Sequence, residues 1–424
     1  MGKVTDVINK RRVLPFLVVT IASLGPLAAA GHAAPRGTVT VSTVSVGSPG
    51  NPAISIVPFT DAAYTSCSQV PSGTKPPCQS IGAVKYPYEI GELEVTVGQW
   101  ITFLNTVDPK GRNPYRLYDG YVDPRAWPQY GQVALVTKAA SGKHYRAGSP
   151  EWLDKPYGFA DFPAAARFAN SLYNGTVLSK ASGTANGFSV TTYKVRLSPR
   201  SSTGMYDLKN PSAKRDRKSG FVIPSQNEWV KAAYYDRSTT SYWKYPTNPG
   251  TFGNAPDYNA ATAVEPLATQ LDYTTGDVTN ANGSPLASLI DANGSYPKWC
   301  PKAAQTSPTT CSTENPFGLS ATAYQDVYKA GLSTVGQALV RSPWGTLDQG
   351  GNAVEWTDTI TAPPAGVQGK RVWRRLHGGV SNSTSYQLWP SAVGLQPQDN
   401  TFYDHVYPWL GFRIGVIGSL SKGD

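Results

Sequence analysis

The stretch YPYEIGELEVTVGQWITFLNTV, residues 86–107, changes its period halfway along. Within it YEIGELEV alternates apolar and polar residues, as a half-buried strand does. Thr96-Val97-Gly98-Gln99 then has the form of a capping box, in which a hydroxyl and an amide three residues on satisfy the first free N–H groups of a helix. The helix it opens puts Trp100, Phe103, Leu104 and Val107 on one face. The segment is therefore a strand, a cap and an amphipathic helix in succession.

Two more helices have comparable signals. In DFPAAARFANSLYNG (161–175), Asp161 or Phe162 precedes a first-turn proline, Ala165, Phe168, Ala169 and Leu172 form the apolar stripe, and Asn174-Gly175 ends it. In FVIPSQNEWVKAAYYD (221–236), Ser225 and Glu228 form a second capping box, with Trp229, Ala232 and Ala233 facing inward. The cap accounts for Glu228 better than acid–base chemistry does. TVTVSTVSVG (38–47) alternates as a strand. Residues 237–345 hold few periodic runs, yet tyrosine and tryptophan are spread through them, which favours ordered irregular structure. The 41 glycines, 35 prolines, 24 tyrosines and 11 tryptophans argue the same for the whole chain: many turns pinned by aromatics. No repeat or linker divides it, so a single large domain is expected over 34–420, with a short tail at 421–424.

Residues 1–33 have the layout of an export signal. Lys10-Arg11-Arg12 precede the apolar run VLPFLVVTIASLGPLAAA, and GHAA offers small residues for cleavage after Ala30 or Ala33. An exported, secreted or periplasmic bacterial protein is expected, with no membrane span in its mature form. Removing residues 1–34 lowers the formal charge from +10 to about +7. The run Lys214-Arg215-Asp216-Arg217-Lys218 is the obvious basic patch and reads as a solvated loop; nucleic acid is not an expected partner. Cys67 and Cys78 flank one polar loop, and Cys300 and Cys311 another. Sequential pairing would staple both, although four cysteines allow three connectivities. No CxxC spacing suggests a metal.

SPWGTLDQGGNAVEWTD (342–358) carries the most chemistry. Gly350-Gly351-Asn352 makes a tight turn, and Asp348, Asn352, Glu355 and Asp358 bring oxygen ligands close together, as calcium prefers, though not at EF-hand spacing.

Taken in order, IGELEVTVGQWITFLN (90–105), IPSQNEWVKAAYYD (223–236), WGTLDQGGNAVEW (344–356), HGGVS (377–381) and LGFRIG (410–415) resemble the signatures of the formylglycine-generating-enzyme, or sulfatase-modifying-factor, domain family. The resemblance runs from about residue 38 to 418. It implies a loop-rich α+β fold related to C-type lectins. It also implies a calcium ion held by the side chains of Asp348 and Glu355 and the carbonyls of Gly351 and Ala353. A second, weaker site would use Asn259, but the aspartate expected to complete it is matched by Thr334.

Catalysis in that family uses copper(I) held by two thiolates shortly after the glycine turn, and here those positions fall on Ser383 and Leu388. Hydroxyl and alkyl groups do not replace thiolates at copper(I). The turn differs as well: His377 stands for the family's arginine, and Val380 for its serine. His144, His377 and His405 are widely spaced and do not suggest an iron centre. Neither copper nor iron is expected. No GxSxG, HExxH, P-loop or dinucleotide-binding motif is present.

The leading expectation is therefore a calcium-stabilised binding module for an extracellular glycan, peptide or anionic polymer. Trp373, Tyr386, Trp389, Tyr403 and Trp409 are its candidate contact residues, because aromatic faces stack on sugars and pack against peptides. The alternative is a metal- and O₂-dependent oxidoreductase with an unrecognised ligand set.

Overall fold

The computed structural model describes residues 37–56, 78–125, 132–210, 212–216, 218–246, 248–251, 268–271, 278–280, 285–286, 332, 334–336, 341–363, 367, 369–379, 390–399 and 409–420. The proposed export signal, Cys67, Cys300, Cys311, Asn259, Ser383, Tyr386, Leu388, Trp389, Tyr403, His405 and the tail 421–424 lie outside them. Arg36–Asp424 forms one unit and Met1–Pro35 another.

Among the described residues the architecture is α+β: three α-helices with two principal sheets. The larger sheet is antiparallel and six-stranded. Its strands are Thr38–Val46 (β1), Tyr88–Gly91 (β2), Thr176–Ala185 (β3), Phe188–Arg196 (β4), Gly220–Val222 (β5) and, from the far end of the chain, Gly415–Ile417. In β1, Val39, Val41, Val44 and Val46 are buried, together with Thr38 and Thr43. β1 pairs with β4 from Thr38↔Arg196 to Val44↔Val190, and with β2 from Thr43↔Gly91 to Val46↔Tyr88. The smaller sheet contains Val354–Thr361 (β6), Trp373–His377 (β7), Gly394–Pro397 (β8) and Leu410–Gly411 (β9), so that Gly415–Ile417 is β10. The strand orders are β3-β4-β1-β2-β10-β5 and β8-β7-β6-β9, with β9 parallel to β6.

Helix α1 (Val97–Val107) begins as its sequence dictates. Thr96 caps it, Gln99 completes the capping box, and Trp100, Phe103, Leu104 and Val107 are all buried. Helix α2 (Phe162–Tyr173) is capped by Asp161, whose carboxylate accepts from Ala164 N at 2.6 Å, with proline in the first turn. Aromatic rings join the two helices to the strand end: Trp100 stacks on Tyr157 at 4.4 Å and meets Phe412 edge-on at 6.0 Å, and Phe103 meets Phe168 at 5.3 Å.

Helix α3 (Gln226–Tyr234) has the predicted Ser225–Glu228 box. It is not a one-faced surface helix, however. Gln226, Glu228 and Lys231 are buried along with its apolar residues, because the helix packs against both β6 and β7 and the chain around it. Lys231 resolves its burial by donating to Ser48 O at 2.8 Å, with its ammonium over the rings of Tyr88 and Trp344.

The basic run at 214–218 departs from the solvated-loop reading. Lys214 and Lys218 are exposed, but the Arg215 side chain is only 14% exposed. It donates to both oxygens of Glu228, to the Asp358 carboxylate at 2.5 Å and to Ile223 O at 2.8 Å. A guanidinium flanked by two buried carboxylates has a stronger attraction inward than to water. Arg374 grips the same segment from the other side. Fully buried over the Phe162 ring at 3.5 Å, it donates to Ala213 O and to Asp358 O. Asp358 thus belongs to this arginine cluster rather than to the loop at 348–356 with which its spacing had grouped it.

Among the described residues no helix is long and apolar enough to cross a membrane. Cys78 is disulfide-bonded, and its partner lies outside the described residues.

Candidate functional site

The five sequence motifs meet in one buried network. The loop at 345–353 turns through left-handed conformations at Gly345, Asp348, Gly351 and Asn352. At Gly351, with φ +94°, any side chain would be strained. Glu94, from the segment between β2 and α1, anchors the end of this turn: its carboxylate accepts from Ala353 N at 2.9 Å and Asn352 Nδ2 at 2.8 Å. Asp348 accepts from Gly336 N at 2.5 Å. Gly351 N donates to Gly378 O at 2.7 Å, tying the turn to the glycine pair after β7.

Glu355, the second residue of β6, is fully buried against a fully buried arginine. Arg413, between β9 and β10, donates Nε to both Glu355 oxygens at 2.9 and 2.7 Å and Nη2 to Oε1 at 2.6 Å. Its remaining N–H groups reach Gly91 O at 2.9 Å and Leu347 O at 3.1 Å. Trp229 of α3 donates Nε1 to Glu355 Oε2 at 2.9 Å. Burial alone would lower the Arg413 pKa, but the Glu355 carboxylate outweighs it and holds the guanidinium charged.

Three buried carboxylates therefore share one guanidinium. Burial, followed by the charges of Asp348 and Glu355, pushes Glu94 well above the usual carboxylate range. Burial likewise pushes Asp348 up to about 6. The excess negative charge can be relieved by protons or by a cation. The donors around Asp348, Gly351, Ala353 and Glu355 are all oxygens, which suits calcium and not a soft metal. Such an ion would share Glu355 with Arg413. Among the described residues no three His, Cys, Asp or Glu side chains are grouped to hold a metal; the set implied for calcium has two carboxylates and two carbonyls. Thr334 stands two residues from Gly336, which caps Asp348.

His377 ends β7 directly opposite Glu355 in the register. Its ring stacks on Trp229 at 5.1 Å and 22°. It is 1% exposed, and neither ring nitrogen has a hydrogen-bond partner among the described residues. Burial, aided by the Arg375 charge, pushes its pKa down to about 3, so the imidazole is neutral. His144 is elsewhere and spoken for: its Nδ1 donates to Val136 O at 2.9 Å. Of the proposed aromatic contact residues, Trp373 is buried in β7 and Trp409 is half-buried, its carbonyl accepting from Val354 N at 3.0 Å.

The spacing within 342–358 singled out Asp348, Asn352, Glu355 and Asp358, of which Asp358 lies in the arginine cluster instead, and it did not reveal the partners from other segments. Glu94, Trp229 and Arg413 each lie inside a motif, ELEVT, NEW and GFR, so their positions were visible while their shared role was not.

No protein-family model matches the chain, and no curated protein matches it. Among solved structures it is similar to Treponema denticola variable protein 1, at 13% identity over 91% of this chain and 98% of that one, with a TM-score of 0.38. It is also similar to PvdO from Pseudomonas aeruginosa, at 13% identity over 89% and 94% of the two chains, with a TM-score of 0.39. At TM-scores below 0.5 a functional reading has to rest on the chain's own residues.

Proposed function

We propose that this chain is an exported, formylglycine-generating-enzyme-like protein, on a scaffold related to C-type lectins, that binds its partner rather than oxidising it. The observation that carries the reading is the convergence of all five motif segments, through Glu94, Trp229, Glu355, Gly378 and Arg413, on a network whose carboxylates are already committed. Glu355 is held by Arg413 and Trp229, Glu94 and Asp348 by backbone amides, and Glu228 and Asp358 by Arg215. Carboxylates engaged in this way organise loops and are poorly placed to shuttle protons. The two positions where copper-binding thiolates would be needed are Ser383 and Leu388.

In this reading Asp348, Glu355 and the carbonyls of Gly351 and Ala353 hold calcium, with a weaker second site at Asn259. The ion supplies positive charge that stiffens the turn leading to Gly378. The partner is an extracellular glycan, peptide or anionic polymer that meets the surface around the 377–389 segment.

Metal analysis of protein produced through an export pathway tests the reading, together with O₂ uptake in the presence of a cysteine-containing peptide. The expected result is calcium near one equivalent, a melting temperature that falls on chelation, and no O₂ consumption. Tightly held stoichiometric copper or iron, with thiol-dependent O₂ uptake, would replace this reading with the oxidoreductase.

A further inference from the structure

Two basic runs lie far apart in the chain, Lys214-Arg215-Asp216-Arg217-Lys218 and Lys370-Arg371-Val372-Trp373-Arg374-Arg375. The fold brings them together on one residue. Arg215 donates to the Asp358 carboxylate at 2.5 Å. Arg374 donates to the Asp358 carbonyl at 2.5 Å and to Ala213 O, beside Lys214, at 2.7 Å. One arginine of each run is thus turned inward and latches that run to the body of the protein.

The other cations stay outside. Lys214 and Lys218 flank the run that Arg215 anchors, Lys370 and Arg371 precede β7, and all four are exposed. Among the described residues none of the four has an ion-pair partner. The exposed anion among the described residues of the two runs is Asp216. Cations gathered without counter-charges repel one another and weaken the compact state. The latches do not require them, because Arg215 is held by Glu228 and Asp358, and Arg374 by carbonyls and the Phe162 ring. The assembly calls for a partner that brings negative charge to it.

The chemistry of the four cations specifies the form of that partner. Three are lysines, point charges on flexible stems with no planar fork to fix a single anion. Exposed side chains of this kind hold one small ion weakly, whereas a chain bearing many anions engages several of them at once. A bilayer surface would ask for apolar anchors as well. Of the exposed large apolar side chains among the described residues, Val367 alone is close to either run in sequence.

We propose that Lys214, Lys218, Lys370 and Arg371 form a docking surface for an acidic polysaccharide, a polymer with carboxylates along its length. The proposal rests on the export part of the reading above, and not on its calcium site or on the surface around 377–389.

The test measures binding of the full mature chain to polygalacturonate at several NaCl concentrations, with monomeric galacturonate and neutral dextran as references. The polymer is expected to bind and to be released as salt rises, while the monomer and dextran give no signal at about 150 mM NaCl. Lys214→Ala with Lys218→Ala, and Lys370→Ala with Arg371→Ala, should each weaken binding about threefold or more and flatten the log–log salt dependence by about one. Lys138→Ala with Lys143→Ala removes the same charge from exposed positions outside both runs and should leave binding within about twofold of the parent. The proposal is overturned if this control pair weakens binding as much as either run does, because net charge alone would then account for it. It is overturned equally if the polymer does not bind, if the monomer binds with comparable affinity, or if anionic vesicles or duplex DNA bind more tightly through the same residues. Such a failure would leave the calcium reading intact, and copper or iron in the metal analysis would leave this surface intact.

Discussion

At the scale of single residues, the Glu355–Arg413 pair sets the terms for everything around it. Both side chains are wholly buried; three hydrogen bonds join the pair, and Trp229 donates a fourth to Glu355. Arg413→Met leaves an uncompensated carboxylate in the core and should cost about 3–5 kcal/mol. Arg413→Met with Glu355→Leu should recover a large part of that loss, because a buried pair replaced by apolar groups of similar volume is often near neutral. Urea denaturation of the two variants and the parent checks both. Glu355 was readable in the sequence as an oxygen donor beside a glycine turn. Its arginine, 58 positions away, was not: a contact between distant residues imprints no period on either segment. Glu228 shows the same limit. Its capping role is local and was legible, whereas its grip on Arg215 depends on how a loop folds back.

At the scale of elements, what was legible is what is locally encoded. All three helices begin at the predicted cap with the predicted faces buried, because capping and amphipathicity act within a turn or two. The β3–β4 hairpin had an equally local signal that went unread. Asn186-Gly187 forms a two-residue turn with φ of +51° and +82°, as short hairpin connections require. The basic run at 214–218 departs from its solvated reading for another reason: a run of charges looks solvated until its partners are known. Its attachment through Arg215 predicts a measurable protection. Arg215→Ala should speed tryptic cleavage after the exposed Lys214 and Lys218 by about tenfold or more, since the latch no longer opposes local opening. A time course of limited proteolysis, with catalysis-independent folding confirmed by circular dichroism, reads it out; unchanged cleavage would mean that Arg374 alone holds the segment.

At the scale of the molecule, the six-stranded sheet is graded from one edge to the other. β3 is exposed at nearly every residue, whereas β1, β2, β10 and β5 carry the buried core. Local stability follows buried contacts. Hydrogen exchange should therefore be fast over the outer half of β3–β4 and slowest in β1, β2 and β10. Uniform protection across all six strands would show that the hairpin is held by something outside the sheet. The strand order itself could not be read from the sequence, because β10 enters the middle of a sheet begun at β1, and nothing local to GVI announces its neighbours.

That insertion has a consequence for the order in which the molecule comes together. Arg413 Nη1 donates to the Gly91 carbonyl across 322 positions of chain, and β10 joins β2 to β5 immediately afterwards. During synthesis, β2 and β5 emerge long before the strand that lies between them, and the Glu355 carboxylate emerges before its counter-charge. Until residues 413–417 arrive, the central sheet is two separate pieces with facing unpaired edges. The six-stranded sheet therefore cannot be completed before residues 413–417 are available, and a nascent chain stalled short of Arg413 lacks both the strand between β2 and β5 and the counter-charge of Glu355.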